Sequence, residues 1–407
     1  MLQSDRYGGY SSAAERLTVA QDVVGSIPTS RPKVQAHFQR CWGNLNCRAQ
    51  VSQQPPQHDN SDPAAILLKA GLRPFQPRRG LRNGHLQTII GNYMRRPAVR
   101  AATVAEAVVV DAADGSRVMC HCNWQPESER AQSLTLILVH GLEGSSESRY
   151  IRGIAARAWD AGCNVVRMNM RNCGDTDHLT PTLYHSGLSA DVAAVMRHYT
   201  AQFKLERVAL VGYSMGGNLV LKLAGEWGSQ PPLCAVATVC PAIDLAAGSA
   251  ALHEPSNRVY EWRFLRGLMR RYRRKAALYP HVYGNDVVGP IRSLWQFDNE
   301  IVAPHCGFRD ANDYYYRAAS ARVVDKIAVP TLILRAIDDP FVRMLPETRA
   351  KLLANPHVLL VETPHGGHCA YLSRDRGEDI HWAEASVIQY LLQLAPLRDR
   401  ADVSNGS

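Results

Sequence analysis

No run of 18 or more apolar residues occurs in this 407-residue sequence, so no single-span transmembrane helix is expected. The opening Met1-Leu2-Gln3-Ser4-Asp5-Arg6 lacks the basic start and apolar stretch of a secretory signal, and the expected location is cytoplasmic. Cysteine is sparse. Ten residues cannot staple a disulfide scaffold of this length, and Cys163, Cys234 and Cys240 lie in apolar runs, as small buried hydrophobes do in a reducing compartment. Internal repeats are absent. Cys120-His121-Cys122 would put two cysteines on one face of a strand, but nothing nearby supplies the second half of a zinc site, so neither a metal nor a cofactor is expected. The net charge of +9 has no aromatic or motif support for nucleic acid, and no nucleic-acid partner is expected.

With 46% hydrophobic residues, the chain is long enough for one large α/β domain plus extensions. Residues 1–61, rich in Ser, Gln, Asn and Pro, read as a disordered N-terminal extension, residues 62–397 as the domain, and residues 398–407 as a flexible tail. Val104 to Val110 and Val118 to Trp124 flank Asp114-Gly115, a hairpin signal. From Leu134 onward, predominantly apolar runs (134–139, 164–168, 207–211, 235–239, 331–336, 358–363) alternate with helical stretches, including 149–161 and 188–199. That pattern predicts a mostly parallel sheet with helices on both faces. Between Asp244 and Ser320 the strands stop, which reads as a helical cap insertion, 244–320, over the site.

Gly212-Tyr213-Ser214-Met215-Gly216 lies between the strand-like run ending at Val211 and the helix-like stretch Gly217 to Glu226. A serine in such a turn projects its hydroxyl above the sheet as a nucleophile, with glycines leaving room for the bend. Upstream, another strand runs into His140-Gly141-Leu142-Glu143-Gly144, a loop suited to cradle a negative oxygen through its N–H groups. Leu142 and Met215 are the candidate oxyanion donors. Downstream, Asp338-Asp339-Pro340 and His365-Gly366-Gly367-His368 each follow a late strand, in the order serine, acid, histidine. Asp339 is preferred to Asp338 as the residue directly before the turn at Pro340. His368 is preferred to His365 because it follows the two glycines and precedes Cys369-Ala370-Tyr371, read as the start of a closing helical region. Cys369 has no elbow around it and reads as an inert thiol. Asp338 and His365 stay open as alternatives.

Beyond these three elements, Phe75-Gln76-Pro77, Asn83-Gly84-His85-Leu86-Gln87-Thr88, Tyr184-His185-Ser186-Gly187 with Asp191, and Asn312-Asp313-Tyr314-Tyr315 complete a set of markers. On all of them together, the sequence resembles the YheT-like branch of the α/β-hydrolases, from about Leu72 to about Leu394. That resemblance implies an α/β-hydrolase fold, esterase-like activity and eukaryotic relatives that act on phospholipids. It places the family's catalytic serine, acid and histidine on Ser214, Asp339 and His368.

Within the cap, one segment carries a local positive excess. Arg258, Arg263, Arg266, Arg270, Arg271, Arg273, Arg274 and Lys275 face one acid, Glu261, while Tyr260, Phe264, Leu268 and Tyr272 recur every four residues. This segment, Arg258 to Lys275, reads as a cap helix packed on the body with solvated arginines, or more sharply as a contact for anionic lipid or a phosphate-bearing substrate. The expected partner is a small acyl ester, cleaved by a serine hydrolase through an acyl-enzyme. A thioesterase, phospholipase or acyltransferase would use the same residues, and a non-catalytic binding protein on this scaffold would be expected to lack one of the three. The sequence leaves the oligomeric state open.

Overall fold

The structure, a computed structural model, describes residues 70–96, 105–284, 289–375 and 380–394. The expected extension 1–61 and tail 398–407 lie outside them. Eight strands form one sheet: β1 (Glu106–Asp111), β2 (Arg117–Asn123), β3 (Thr135–Val139), β4 (Asn164–Met168), β5 (Val208–Tyr213), β6 (Leu233–Val239), β7 (Thr331–Ala336) and β8 (Val358–Thr363). Their order is β1-β2-β4-β3-β5-β6-β7-β8. β2 pairs antiparallel with both neighbours, and the six strands from β4 to β8 are parallel. The expected hairpin is β1–β2, turned by Asp114 (φ 55°) and Gly115 (φ 67°).

Parallel strands are covered on both faces, which is why β3, β5 and β6 read as near-continuous apolar runs. Successive side chains along a strand point to opposite faces, so β5 sends Val208 and Leu210 into one apolar layer and Ala209, Val211 and Tyr213 into the other. The first layer is closed by α3 (Ser189–Phe203) and α4 (Met215–Trp227), through Val192, Val195, Leu219 and Val220. The second is closed by α2 (Arg149–Asp160) and α9 (Trp382–Leu394), through Ile151, Ile154, Val387 and Leu391. α1 (Gly84–Tyr93) precedes the sheet in sequence, and α8 (Pro346–Ala354) links β7 to β8.

Between β6 and β7 the described residues form helices and turns without a strand. The longest of these helices are α5 (Leu245–Leu252), α6 (Arg258–Leu278) and α7 (Ala311–Ala318). Two local expectations differ from what is observed. The helix expected at 188–199 continues to Phe203, where Lys204 in the left-handed region (φ 51°) stops it. The closing helix does not begin at Cys369: Cys369 and Tyr371 both have positive φ, isolated bridges follow at Leu372 and Ser373, and α9 starts at Trp382.

Candidate active site

Ser214 sits where β5 turns into α4, at φ 54° and ψ −118°, a backbone region that side chains avoid and that costs on the order of 1–3 kcal/mol. The turn is held from both sides. Ser214 N donates to Val239 O at 3.0 Å and Ala242 N donates to Ser214 O at 3.1 Å. A Cβ on Gly212 would lie 2.4 Å from Gly216 O, and one on Gly216 would lie 2.3 Å from Val139 O. Glycine at both places is therefore a condition of the bend.

The loop after β3 lies directly against this serine, since a Cβ on Gly141 would approach Ser214 Oγ to 3.5 Å. His140 is fully buried beneath it. Its Nε2 accepts from Met170 N at 3.1 Å, so Nδ1 carries the hydrogen and donates to Gly141 O at 2.8 Å. Burial pushes its pKa down to about 4, which keeps the ring neutral. Three loop N–H groups are engaged: Gly141 N donates to Tyr150 Oη at 2.9 Å, Glu143 N to Tyr184 Oη at 3.4 Å, and Gly144 N to Gly141 O at 3.0 Å. Among the described residues, no hydrogen-bond acceptor meets the N–H of Leu142 or Met215.

The two aspartates and two histidines form separate pairs. Asp339 is buried; its Oδ1 accepts from Phe341 N (3.1 Å) and Val342 N (2.9 Å), and its Oδ2 lies 2.8 Å from His368 Nδ1. Burial alone would raise the Asp339 carboxyl, but the facing imidazole and these N–H donors hold it below its usual value. Burial likewise opposes charge on His368, and the Asp339 carboxylate outweighs it, so the His368 pKa is raised. Asp338 instead accepts from Gly367 N at 2.9 Å and lies 3.5 Å from His365, with its carboxyl raised by burial. The His368 ring packs on Phe341, centroids 4.4 Å apart, and Phe341 lines the same cavity as Ser214. His368 N donates to Thr88 Oγ1 at 2.8 Å, which fastens its loop to α1.

That cavity is mostly apolar, walled by Leu142, Met215, Leu245, Phe264, Leu268 and Val302. Its wall also carries a polar cluster: Tyr315 Oη donates to Asp298 at 2.7 Å and lies 2.8 Å from Ser249 Oγ, with the buried Asp298 carboxyl pushed up to about 7. α6 covers the cavity with Phe264, Leu268 and Tyr272. Not all of its basic residues are solvated, as the apolar stripe with basic flanks suggested. Arg271 is buried, with Nε 3.1 Å from Glu143 and Nη1 bonded to Asn172 O. Lys275 is fully buried, with Nζ donating to Asp177 O at 2.7 Å and to Thr180 O. Arg274 pairs with Asp177 at 2.9 Å. Helical periodicity puts residues 268, 271, 272 and 275 on one face, and here that face carries two cations down with the apolar stripe.

Among the described residues, one group of His, Cys, Asp and Glu is close enough to share a metal: the Cys240 and Cys369 sulfurs and a His368 ring nitrogen lie within 4.8 Å of one another. His368 Nδ1 is already taken by Asp339, and Cys369 is half-buried, with its thiol pushed well above the usual range by desolvation. Cys120 and Cys122 share the buried side of β2, with Cys122 Sγ donating to Tyr199 Oη at 3.0 Å and its thiol pushed up to about 12.

The family profile described as the alpha/beta hydrolase fold matches residues 135–375, more than half of the chain. YheT of Escherichia coli strain K12 is 31% identical over 327 residues, covering 78% of this chain and 92% of that protein. The chain belongs to the α/β-hydrolase family, in its YheT-like branch. This hydrolase is also similar to phospholipase ABHD3 of Mus musculus, 31% identical over 241 residues and 58% of each chain. In fold it is like a solved esterase of Pyrococcus furiosus, with a TM-score of 0.50 at 15% identity over 74% of this chain and 97% of that one.

The sequence of this α/β-hydrolase assigned no role to Thr88, which stood there only within the Asn83–Thr88 marker, and did not point to Tyr150 or the Glu143–Arg271 pair. Arg271 and Glu143 stand 128 positions apart and on their own read as surface charges. The available signal was weak: a glutamate inside the glycine loop, and an arginine one position before the recurring Tyr272.

Proposed function

We propose that this α/β-hydrolase cleaves carboxylic esters with Ser214 as nucleophile, His368 as general base and acid, and Asp339 as the carboxylate that orients and charges the imidazole. His368 takes the proton of Ser214 Oγ as that oxygen attacks the ester carbonyl, and the N–H groups of Leu142 and Met215 receive the oxyanion. Collapse of the intermediate expels the alcohol, which takes the proton from His368. Water then enters by the same path to release the acid and free the serine. The observation that carries this reading is the 2.8 Å contact from buried Asp339 to His368 Nδ1, which leaves Nε2 as the basic nitrogen. It is supported by the strained turn at Ser214 and by Phe341, which packs on His368 and lines the same cavity as Ser214.

The apolar cavity favours a hydrocarbon acyl group, and the similarity to a phospholipase favours lipid esters among the substrates. No helix among the described residues is long and apolar enough to cross a membrane. A fluorophosphonate probe should label the parent and not Ser214→Ala, whose turnover on aryl esters should fall by a factor on the order of 10⁴ to 10⁶ with an unchanged Tm. Labelling that persists in Ser214→Ala would overturn the assignment.

A further inference from the structure

α1 packs on the body with the wrong face for an ordinary amphipathic helix. Its inward positions are polar or small. A Cβ on Gly84 would strike Asp338 O, Gln87 is fully buried and bonded to Leu81 O and Leu372 O, Thr88 holds His368 N, and Gly91 abuts Ala370. Its apolar side chains, Leu86, Ile89, Ile90 and Tyr93, follow the i, i+3, i+4, i+7 spacing of a core-facing stripe, yet they are 36% to 62% exposed. The start of α6 continues this surface: His85 Nδ1 lies 3.1 Å from Tyr260 Oη, and beside Tyr260 the side chains of Val259 and Trp262 are 74% and 60% exposed. The patch adjoins the site. Tyr260 packs on Phe341 at 5.2 Å, and Phe341 on His368 at 4.4 Å.

Around this patch basic residues predominate, and the exposed acids nearest Arg149 and Arg258 in sequence, Glu147 and Glu254, pair with Arg167 and Arg343. The stretch from Arg78 to Arg96 contains no acid, and Arg78, Arg79, Arg82 and Arg95 are exposed. Exposed Arg149 donates to Tyr93 O, and exposed Arg258, Arg263 and Arg266 flank Trp262, with the Arg266 guanidinium 5.5 Å from its ring. The one acid of α6, Glu261, is buried and bonded to Leu294 N. A second copy docking here about a twofold axis would set arginines against arginines.

We infer that α1 and the first turns of α6 form a docking face for an anionic phospholipid surface, with Leu86, Ile89, Tyr93 and Trp262 entering the acyl boundary and the arginine collar meeting the phosphates. An apolar stripe collared by cations is the composition that seats a helix in a lipid interface. Its purpose, delivering lipid esters to the cavity, rests on the proposed activity; the docking itself does not.

The full chain should sediment with vesicles of phosphatidylcholine and phosphatidylglycerol, weakly with phosphatidylcholine alone, and less as salt rises. Ile89→Asn with Trp262→Ser, and separately Arg263→Gln with Arg266→Gln, should each lower partition by about tenfold or more. Both variants should hydrolyse a short water-soluble aryl ester at the parent rate, which shows that they are folded. A parent that ignores anionic vesicles, or variants that bind as the parent does, overturns the inference. So does a parent dimer that either variant dissolves. Vesicle binding without ester hydrolysis would sink the proposed activity and leave the docking face standing.

Discussion

In the proposed mechanism Asp339 and His368 set the proton chemistry of the site, and their contact yields two linked expectations. Replacing Asp339 by Asn removes the charge that fixes the imidazole tautomer and should lower kcat by roughly 10⁴, whereas Asp338→Asn, one position away, should have a small effect. Paired kinetics on one aryl ester decide between them; the reverse ranking would move the role to Asp338. The neutral imidazole is the working form, and Asp339 raises the His368 pKa, so activity is lost as pH falls through a value above the ordinary imidazole value of about 6.5. In Asp339→Asn the residual acid limb should move to lower pH. Ser214 and the glycine loop were legible in the sequence because an elbow and an N–H cradle are built from consecutive residues. The sequence also preferred Asp339 and His368, from Pro340 and the two glycines, and these are the two that the structure brings together at 2.8 Å. The second pair, Asp338 with His365, was not foreseen, since it depends on where the backbone aims each side chain. Thr88 stood only within a marker, because its contact with His368 N spans 280 positions.

The arrangement of α6 over the cavity makes its inner cations part of the site's geometry. Arg271 holds Glu143, which directly follows Leu142, and Tyr184 Oη donates to the same carboxylate at 2.9 Å. A Cβ on Gly267 would come within 2.1 Å of that carboxylate, so helix and loop are in direct contact. Arg271→Gln and Glu143→Gln should each lower kcat by about 10- to 100-fold through misplacement of the Leu142 N–H. Their effects should not add in the double variant, because either change alone breaks the same contact. Arg271→Lys should fail to rescue, because a point charge cannot hold Glu143 and Asn172 O together as a guanidinium does. A lysine variant with parental kcat would show that charge alone suffices. The apolar period of α6 was readable from its sequence, but the burial of Arg271 and Lys275 was not, since arginine and lysine are ordinarily solvated. α1 escaped the sequence reading because its apolar stripe faces outward and its contacts with the body are made by Gly, Gln and Thr.

At the scale of the whole molecule, the alternation of apolar runs with helical stretches was enough to recover six parallel strands and their order along the chain, because burial on both faces leaves a continuous signature. Their lateral order was not readable, since it depends on which crossovers pass over which face. Residues 1–61 show no sustained apolar period, and the similarity to YheT of Escherichia coli covers 78% of the chain. Deleting them should leave Tm and the hydrolysis of a short aryl ester nearly unchanged, as calorimetry and kinetics would show; an insoluble or inactive product would assign them to the body.

Because α6 is moored to the loop after β3 through Arg271 and Glu143, an outward displacement of this helix would pull on Glu143 and on the adjoining Leu142. On the proposed mechanism, an ester large enough to hold the helix away would occupy the cavity uncut and slow the turnover of smaller esters. Size selection would then act as a pause after entry, where a narrow doorway would have refused admission.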